Sequence, residues 1–169
     1  MVDAGSSNSY NRPIINSTGR LYETTEKQHR ILIVDDNEAN CELLEAYLTD
    51  LDCVTQIASD GQQAMEKAAS FGPDLILLDV MMPKLSGFEV CEKIKSDPQL
   101  KKIMILMVTA LNELGDIERA VNAGTNDFLS KPVNRVELMK RVGNMLELKG
   151  VTDENERLRQ YIQLMEDSK

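Results

Sequence analysis

The chain has 169 residues, 42% hydrophobic and 4% aromatic with no tryptophan, which suffices for one aliphatic core of ordinary domain size and excludes a second full catalytic domain. Its 19 Lys and Arg against 28 Asp and Glu give a formal net charge of -9, which disfavours attraction to a phosphate backbone, so no direct nucleic-acid binding is expected. No apolar run is long enough to span a bilayer, and the start of the chain lacks a basic segment followed by an apolar one. Cys41, Cys53 and Cys91 form no CxxC pair, so a cytoplasmic protein with reduced core thiols and no membrane association is expected.

Residues 1–29 balance their charges and carry clusters such as Ser6, Ser7, Asn8 and Ser9 that bury almost nothing, which predicts a disordered leader. From Arg30 onward short apolar runs alternate with segments of helical period, the pattern of an α/β domain on a parallel sheet. The predicted strands are 31–34, 53–58, 75–78, 103–108 and 127–129. Four read as nearly continuous apolar runs suited to buried parallel strands, whereas Val54, Gln56 and Ile57 in the second suggest a more exposed edge.

Between the strands, Leu43, Leu44, Tyr47, Leu48 and Leu51 fall on one helical face, then Ala64, Met65, Ala68 and Ala69. Phe88, Cys91 and Ile94 mark a third helix, and Leu114, Ile117 and Val121 a fourth. Val136, Val142 and Leu146 anchor a fifth, opened by a capping signal at Asn134 and Glu137. Gly72-Pro73 ends the second helix and Asp97-Pro98 follows the third. The result is a (βα)5 doubly wound five-stranded parallel sheet over residues 30–149.

In such a sheet the ligand crevice lies beyond the carboxyl ends of the strands. Asp35 and Asp36 follow the first strand, Asp79 the third, Thr109 the fourth, and Lys131 comes just past the fifth. Each alone reads as a cap, a turn former, a β-former or a surface charge. Together they form a constellation. Converging carboxylates repel unless a cation neutralises them, and an all-oxygen set without a His or Cys cluster suits magnesium, with manganese as a substitute. Asp79 then has the surroundings of a carboxylate nucleophile toward phosphorus. Lys131 adds positive charge, Thr109 a hydroxyl donor, and Ala110 leaves its backbone N–H open to a phosphoryl oxygen.

Over residues 30–149 the chain resembles the response-regulator receiver family, CheY-like in fold, on Asp35-Asp36, Asp79-Val80-Met81-Met82-Pro83, Gly87, Thr109-Ala110 and Lys131-Pro132. The resemblance implies a bacterial two-component switch, not a turnover enzyme. Asp79 would be the phosphoacceptor and Asp35, Asp36 and Asp79 the magnesium ligands, completed by the Met81 carbonyl. Thr109 and Lys131 would bind the phosphoryl group, and Phe128 would be the switch aromatic. It also implies a cis Lys131-Pro132 bond, a sensor histidine kinase or phosphotransfer protein as donor, and an output face at about 112–149 through which a homodimer or effector is engaged.

In the tail, 150–169, Leu158, Ile162 and Met165 continue a heptad frame begun by Leu148 and Val151, with Asn155 also at an a position. Gly150 interrupts the frame, and Asp153 with Glu156 offers a separate helix start. A helical extension, either a coiled-coil linker and dimer contact or a frayed end, is expected. Two other functions compete with this reading. One is a phosphohydrolase using an aspartyl-phosphate, but haloacid-dehalogenase-like phosphatases carry a DxD motif after their first strand, whereas here the acidic pair is adjacent and the candidate nucleophile follows the third strand. The other, a flavin or nucleotide module, would need a glycine-rich turn where Asp35, Asp36 and Asn37 stand.

Overall fold

The computed structural model describes residues 13–15, 21–23, 28–110, 114–151 and 153–167. Most of the expected disordered leader lies outside the described residues. Within it β1 (Pro13–Ile15) pairs antiparallel with β2 (Leu21–Glu23), a pairing the composition did not foretell.

The domain then runs β3 (His29–Val34), α1 (Glu38–Leu48), β4 (Cys53–Ala58), α2 (Gly61–Phe71), β5 (Leu75–Leu78), α3 (Gly87–Ser96) and β6 (Met104–Thr109). It continues with α4 (Leu114–Ala123), β7 (Asp127–Ser130) and α5 (Arg135–Glu147), and after a 3-10 turn at Leu148–Gly150 the chain enters α6 (Glu154–Asp167). One five-stranded sheet, order β4-β3-β5-β6-β7 and parallel throughout, carries the helices. β3 begins earlier than predicted because β4 supplies a ladder down to His29 opposite Cys53. β6 begins one residue later than predicted, since Ile103 N–H is spent on a turn to Leu100 O at 2.9 Å.

Strand side chains alternate between faces, which sorts the core into two layers. Leu32, Val34, Ile76, Leu78, Ile105 and Met107 pack with α2, α3 and α4. Ile31, Ile33, Leu75, Leu77, Leu106 and Val108 pack with α1 and α5. Each of these twelve is essentially inaccessible to water. As predicted, β4 is an edge strand, and it shows alternating exposure.

Several helical positions differ from their predicted roles. Leu43, Val121 and Val136 are exposed (43%, 65% and 77%), as is Ala69, while Cys41, Ala120, Ala123, Leu138 and Met145 take the buried places. The side chain of Leu114 lies outside the described residues. Asn134 caps α5, accepting Glu137 N–H at 3.1 Å, but Glu137 turns to Arg141 instead of closing a reciprocal box. The reciprocal capping box is at Ser86 and Glu89 of α3. Cys41 and Cys91 are buried free thiols and Cys53 is partly exposed.

The tail does not continue α5. The 3-10 turn breaks the heptad frame, and Asp153 caps a new helix by accepting Glu156 N–H at 2.7 Å. α6 folds back against α5, where the Tyr161 hydroxyl donates to Asp127, a carboxylate that also pairs with Arg141. Leu158 and Ile162, expected on the contact face, are about half exposed (54% and 50%).

Candidate functional site

The sheet register assembles the site. Val34 pairs with Leu78, so the next residues, Asp35 and Asp79, leave adjacent strands side by side. Thr109 ends β6 opposite Ser130, which puts Lys131 one residue beyond the same edge, with Lys131 N–H donating to Thr109 O at 2.8 Å. The Lys131-Pro132 bond is cis, as the resemblance implied. One oxygen from each of Asp35, Asp36 and Asp79 lies within 4.8 Å of the others.

Asp35 and Asp79 are buried while Asp36 is exposed toward the crevice mouth. The Lys131 ammonium bridges the two buried carboxylates, reaching Asp35 Oδ2 at 2.7 Å and Asp79 Oδ2 at 3.1 Å. Burial pushes the Asp79 carboxyl above its ordinary value, and Lys131 pulls only partly the other way. Burial disfavours the Lys131 charge, yet its bonds to Asp35 and Asp79 prevail and raise its pKa. These are the attributes of a site short of positive charge. A second cation with oxygen preference fits it, since the three groups that converge there are carboxylates.

Residues outside the expected set fix Asp35. Its Oδ1 accepts Asn37 N–H at 2.8 Å, and the Asn40 amide donates to Oδ1 and Oδ2 at 3.3 and 3.0 Å. Asn40, one turn into α1, was missed because nothing in its own neighbourhood marks it as facing the crevice. Gly87 has a steric reason: a Cβ there would fall 2.2 Å from Asp79 O and 2.7 Å from Val80 Cα. The start of α3 must pass against the backbone at the end of β5, and only glycine allows it.

Met81 is 63% exposed, and its N–H reaches Asp79 Oδ1 at a long 3.4 Å. Ala110 is exposed at the end of β6. Thr109 is buried and lines, with Phe128, Val80, Phe88 and Met107, a cavity of about 10 Å3, room for a water at most. The two expected switch residues therefore front one small void.

Three comparisons with known proteins bear on this site. The family described as "Response regulator receiver domain" matches residues 31–143. Response regulator PleD of Caulobacter vibrioides is 47% identical over 125 residues, covering 74% of this chain and 28% of PleD. The DNA-binding dual master transcriptional regulator RpaA of Synechocystis is 38% identical over 117 residues, 69% of this chain and 48% of RpaA. The chain thus spans between about a quarter and a half of these relatives. Among solved structures, the receiver domain of sensor histidine kinase PA1611 from Pseudomonas aeruginosa, with magnesium coordinated in its active-site cleft, superposes with a TM-score of 0.66. It is 32% identical, covering 71% of this chain and 98% of that one. A DNA-binding relative leaves the expectation of no direct nucleic-acid binding, drawn from net charge, without support. Net charge of one segment says nothing of an attached module. Among the described residues no helix is long and apolar enough to cross a membrane.

Proposed function

The chain belongs to the response regulator receiver domain family, and from that premise we propose that Asp79 takes a phosphoryl group from a phosphohistidine on a sensor kinase or phosphotransfer protein. The observation that carries the assignment is the triad of Asp35, Asp36 and Asp79 oxygens within 4.8 Å, bridged at its buried side by Lys131.

Asp35, Asp36 and Asp79 with the Met81 carbonyl would hold magnesium, or manganese in its place, and the ion would supply positive charge for the phosphoryl oxygens. An Asp79 oxygen attacks phosphorus as the P–N bond breaks, and the imidazole leaves with the electron pair of that bond. The Lys131 ammonium, already between Asp35 and Asp79, moves with the incoming negative charge. The Thr109 hydroxyl and Ala110 N–H donate to phosphoryl oxygens.

Drawing Thr109 toward the phosphoryl group enlarges the void it shares with Phe128, whose ring then has space to move inward. Phe128 carries no hydroxyl, so the signal travels by packing alone. It reaches the surface of α4, β7 and α5, the expected output face at 112–149, of which residues 112 and 113 lie outside the described residues. There a second copy or an effector is engaged. α6 already covers part of this face, where Val121, Met145, Leu148, Leu158 and Tyr161 line a cleft of about 240 Å3. This segment acts as a phosphoacceptor switch and not as a turnover enzyme, and its unpaired thiols suit a reducing cytoplasm. Nothing in the matches supports a phosphohydrolase.

The test is incubation with acetyl phosphate, with and without magnesium, followed by intact mass. One phosphoryl adduct that needs the ion and vanishes in Asp79→Asn is expected. A full-occupancy adduct on Asp79→Asn would refute the assignment.

A further inference from the structure

If the Met81 carbonyl completes the cation site as proposed, the loop joining β5 to α3, residues 79–86, has to keep it aimed there. Its internal bonds are short-range: Met82 N–H to Val80 O at 3.1 Å, Leu85 N–H to Pro83 O at 2.9 Å, and Gly87 N–H to Val80 O at 3.0 Å. Such bonds fix the loop's own shape but do not tie it to α2.

Asp79 is held by Lys131 and by Val34 O, and Val80, Met82 and Leu85 pack on the core, but at residues 81–86 the polar side-chain contact from another element comes from the start of α2. Lys84 Nζ meets Asp60 Oδ2 at 3.0 Å, a partner 24 residues earlier in the chain. Beside it, Gly61 admits the loop so closely that a Cβ there would lie 2.6 Å from Leu85 Cβ. Asp60 is rigidly placed, because it is buried and its other oxygen caps α2 by accepting Gln63 N–H at 2.8 Å. One carboxylate therefore ties the helix start with one oxygen and the loop with the other.

Lys84 is unusual on two counts. It is the one non-glycine residue with positive φ among the described residues, at 69°, a conformation costly for a side chain with a Cβ. Its side chain is also 66% exposed, so packing does not repay that cost. Its visible contact is the ion pair.

We propose that Lys84 and Asp60 are a positioning pair that clamps the Met81 loop to α2 and so sets the cation affinity of the Asp35, Asp36 and Asp79 site, touching neither cation nor phosphoryl group. The proposal rests on the reading of that site as a magnesium-dependent phosphoacceptor. A half-solvated pair is a weak restraint, enough to bias a loop by a few-fold and no more.

The experiment is magnesium titration by calorimetry on the full chain, beside urea unfolding without the ion, for Lys84→Asn, Lys84→Arg and Asp60→Asn. Asn tolerates positive φ and also serves as an N-cap, so both Asn variants are expected to fold with unchanged or higher denaturation midpoints. Charge alone predicts opposite effects: losing the lysine would tighten magnesium and losing the aspartate would weaken it. A clamp predicts that both weaken it, by about two- to fivefold, and that Lys84→Arg restores it. Amide exchange at Met82 and Leu85 should quicken in both Asn variants. Equal or tighter magnesium binding by Lys84→Asn would overturn the clamp. No magnesium binding by the unaltered chain would instead overturn the site reading, and the clamp with it.

Discussion

Replacing Lys131 with methionine keeps the length of the stem and removes the charge that bridges Asp35 and Asp79. The ammonium makes two charge-assisted bonds, at 2.7 and 3.1 Å, to side chains that are 2% and 7% exposed. Breaking a buried ion pair costs about 3–5 kcal/mol. Lys131 itself is 20% exposed, so water can partly replace it, and Asp35 keeps its bonds from Asn37 and Asn40. Asp79 fares worse, left with the long bond from Met81. A loss of about 2–3 kcal/mol in the metal-free protein follows. Magnesium should bind the variant more tightly because its competitor is gone, and each tenfold gain in affinity returns about 1.4 kcal/mol at saturating ion. Urea unfolding with and without magnesium measures both effects. A double-mutant cycle with Asp79→Asn should give a coupling of about 1 kcal/mol or more. A metal-free deficit under about 0.5 kcal/mol, or no coupling, would refute the bridged-site account.

Gly87→Ala should force the Asp79 backbone aside, costing about 1–3 kcal/mol in urea unfolding and slowing phosphoryl acceptance from acetyl phosphate; unaltered labelling would show that the strand end is not displaced. Burial, with the nearby Arg157 charge, lowers the Lys95 pKa to about 8, while unfolding restores its ordinary value of 10.5. The folded lysine is then neutral where the unfolded one is still charged, so stability should rise from about pH 8 to about 10.5, and Lys95→Met should flatten that slope in pH-dependent unfolding. Tyr161→Phe deletes the donor to Asp127 and should loosen α6 by about 1 kcal/mol, seen as faster amide exchange confined to α6; an unchanged rate would mean that the hydroxyl does not hold the helix.

The chain order of strands and helices could be read from residues 30–149 because each element carries its own periodic signature. Five residues of the candidate site were also legible as candidates, since Asp35, Asp36, Asp79, Thr109 and Lys131 stand where apolar runs stop, a local mark that needs no knowledge of neighbours. The parallel sheet turns those marks into a site by aligning strand ends, and the fold class implied that alignment.

What tertiary structure alone decided is the set of partners far apart in the chain. Lys131 reaches Asp35 across 96 residues and Lys84 reaches Asp60 across 24, and nothing local to either lysine names its partner. Helix faces failed for the same reason. Val121 and Val136 fit an apolar stripe, but burial depends on what packs opposite, and the layers beneath took Ala120, Ala123, Leu138 and Met145 instead. In the tail, Gly150 and Asp153 announced a break locally, but the return of α6 onto α5 depends on Tyr161 finding Asp127, 34 residues away. Periodicity records what a residue prefers, and only the assembled chain determines which surface meets that preference.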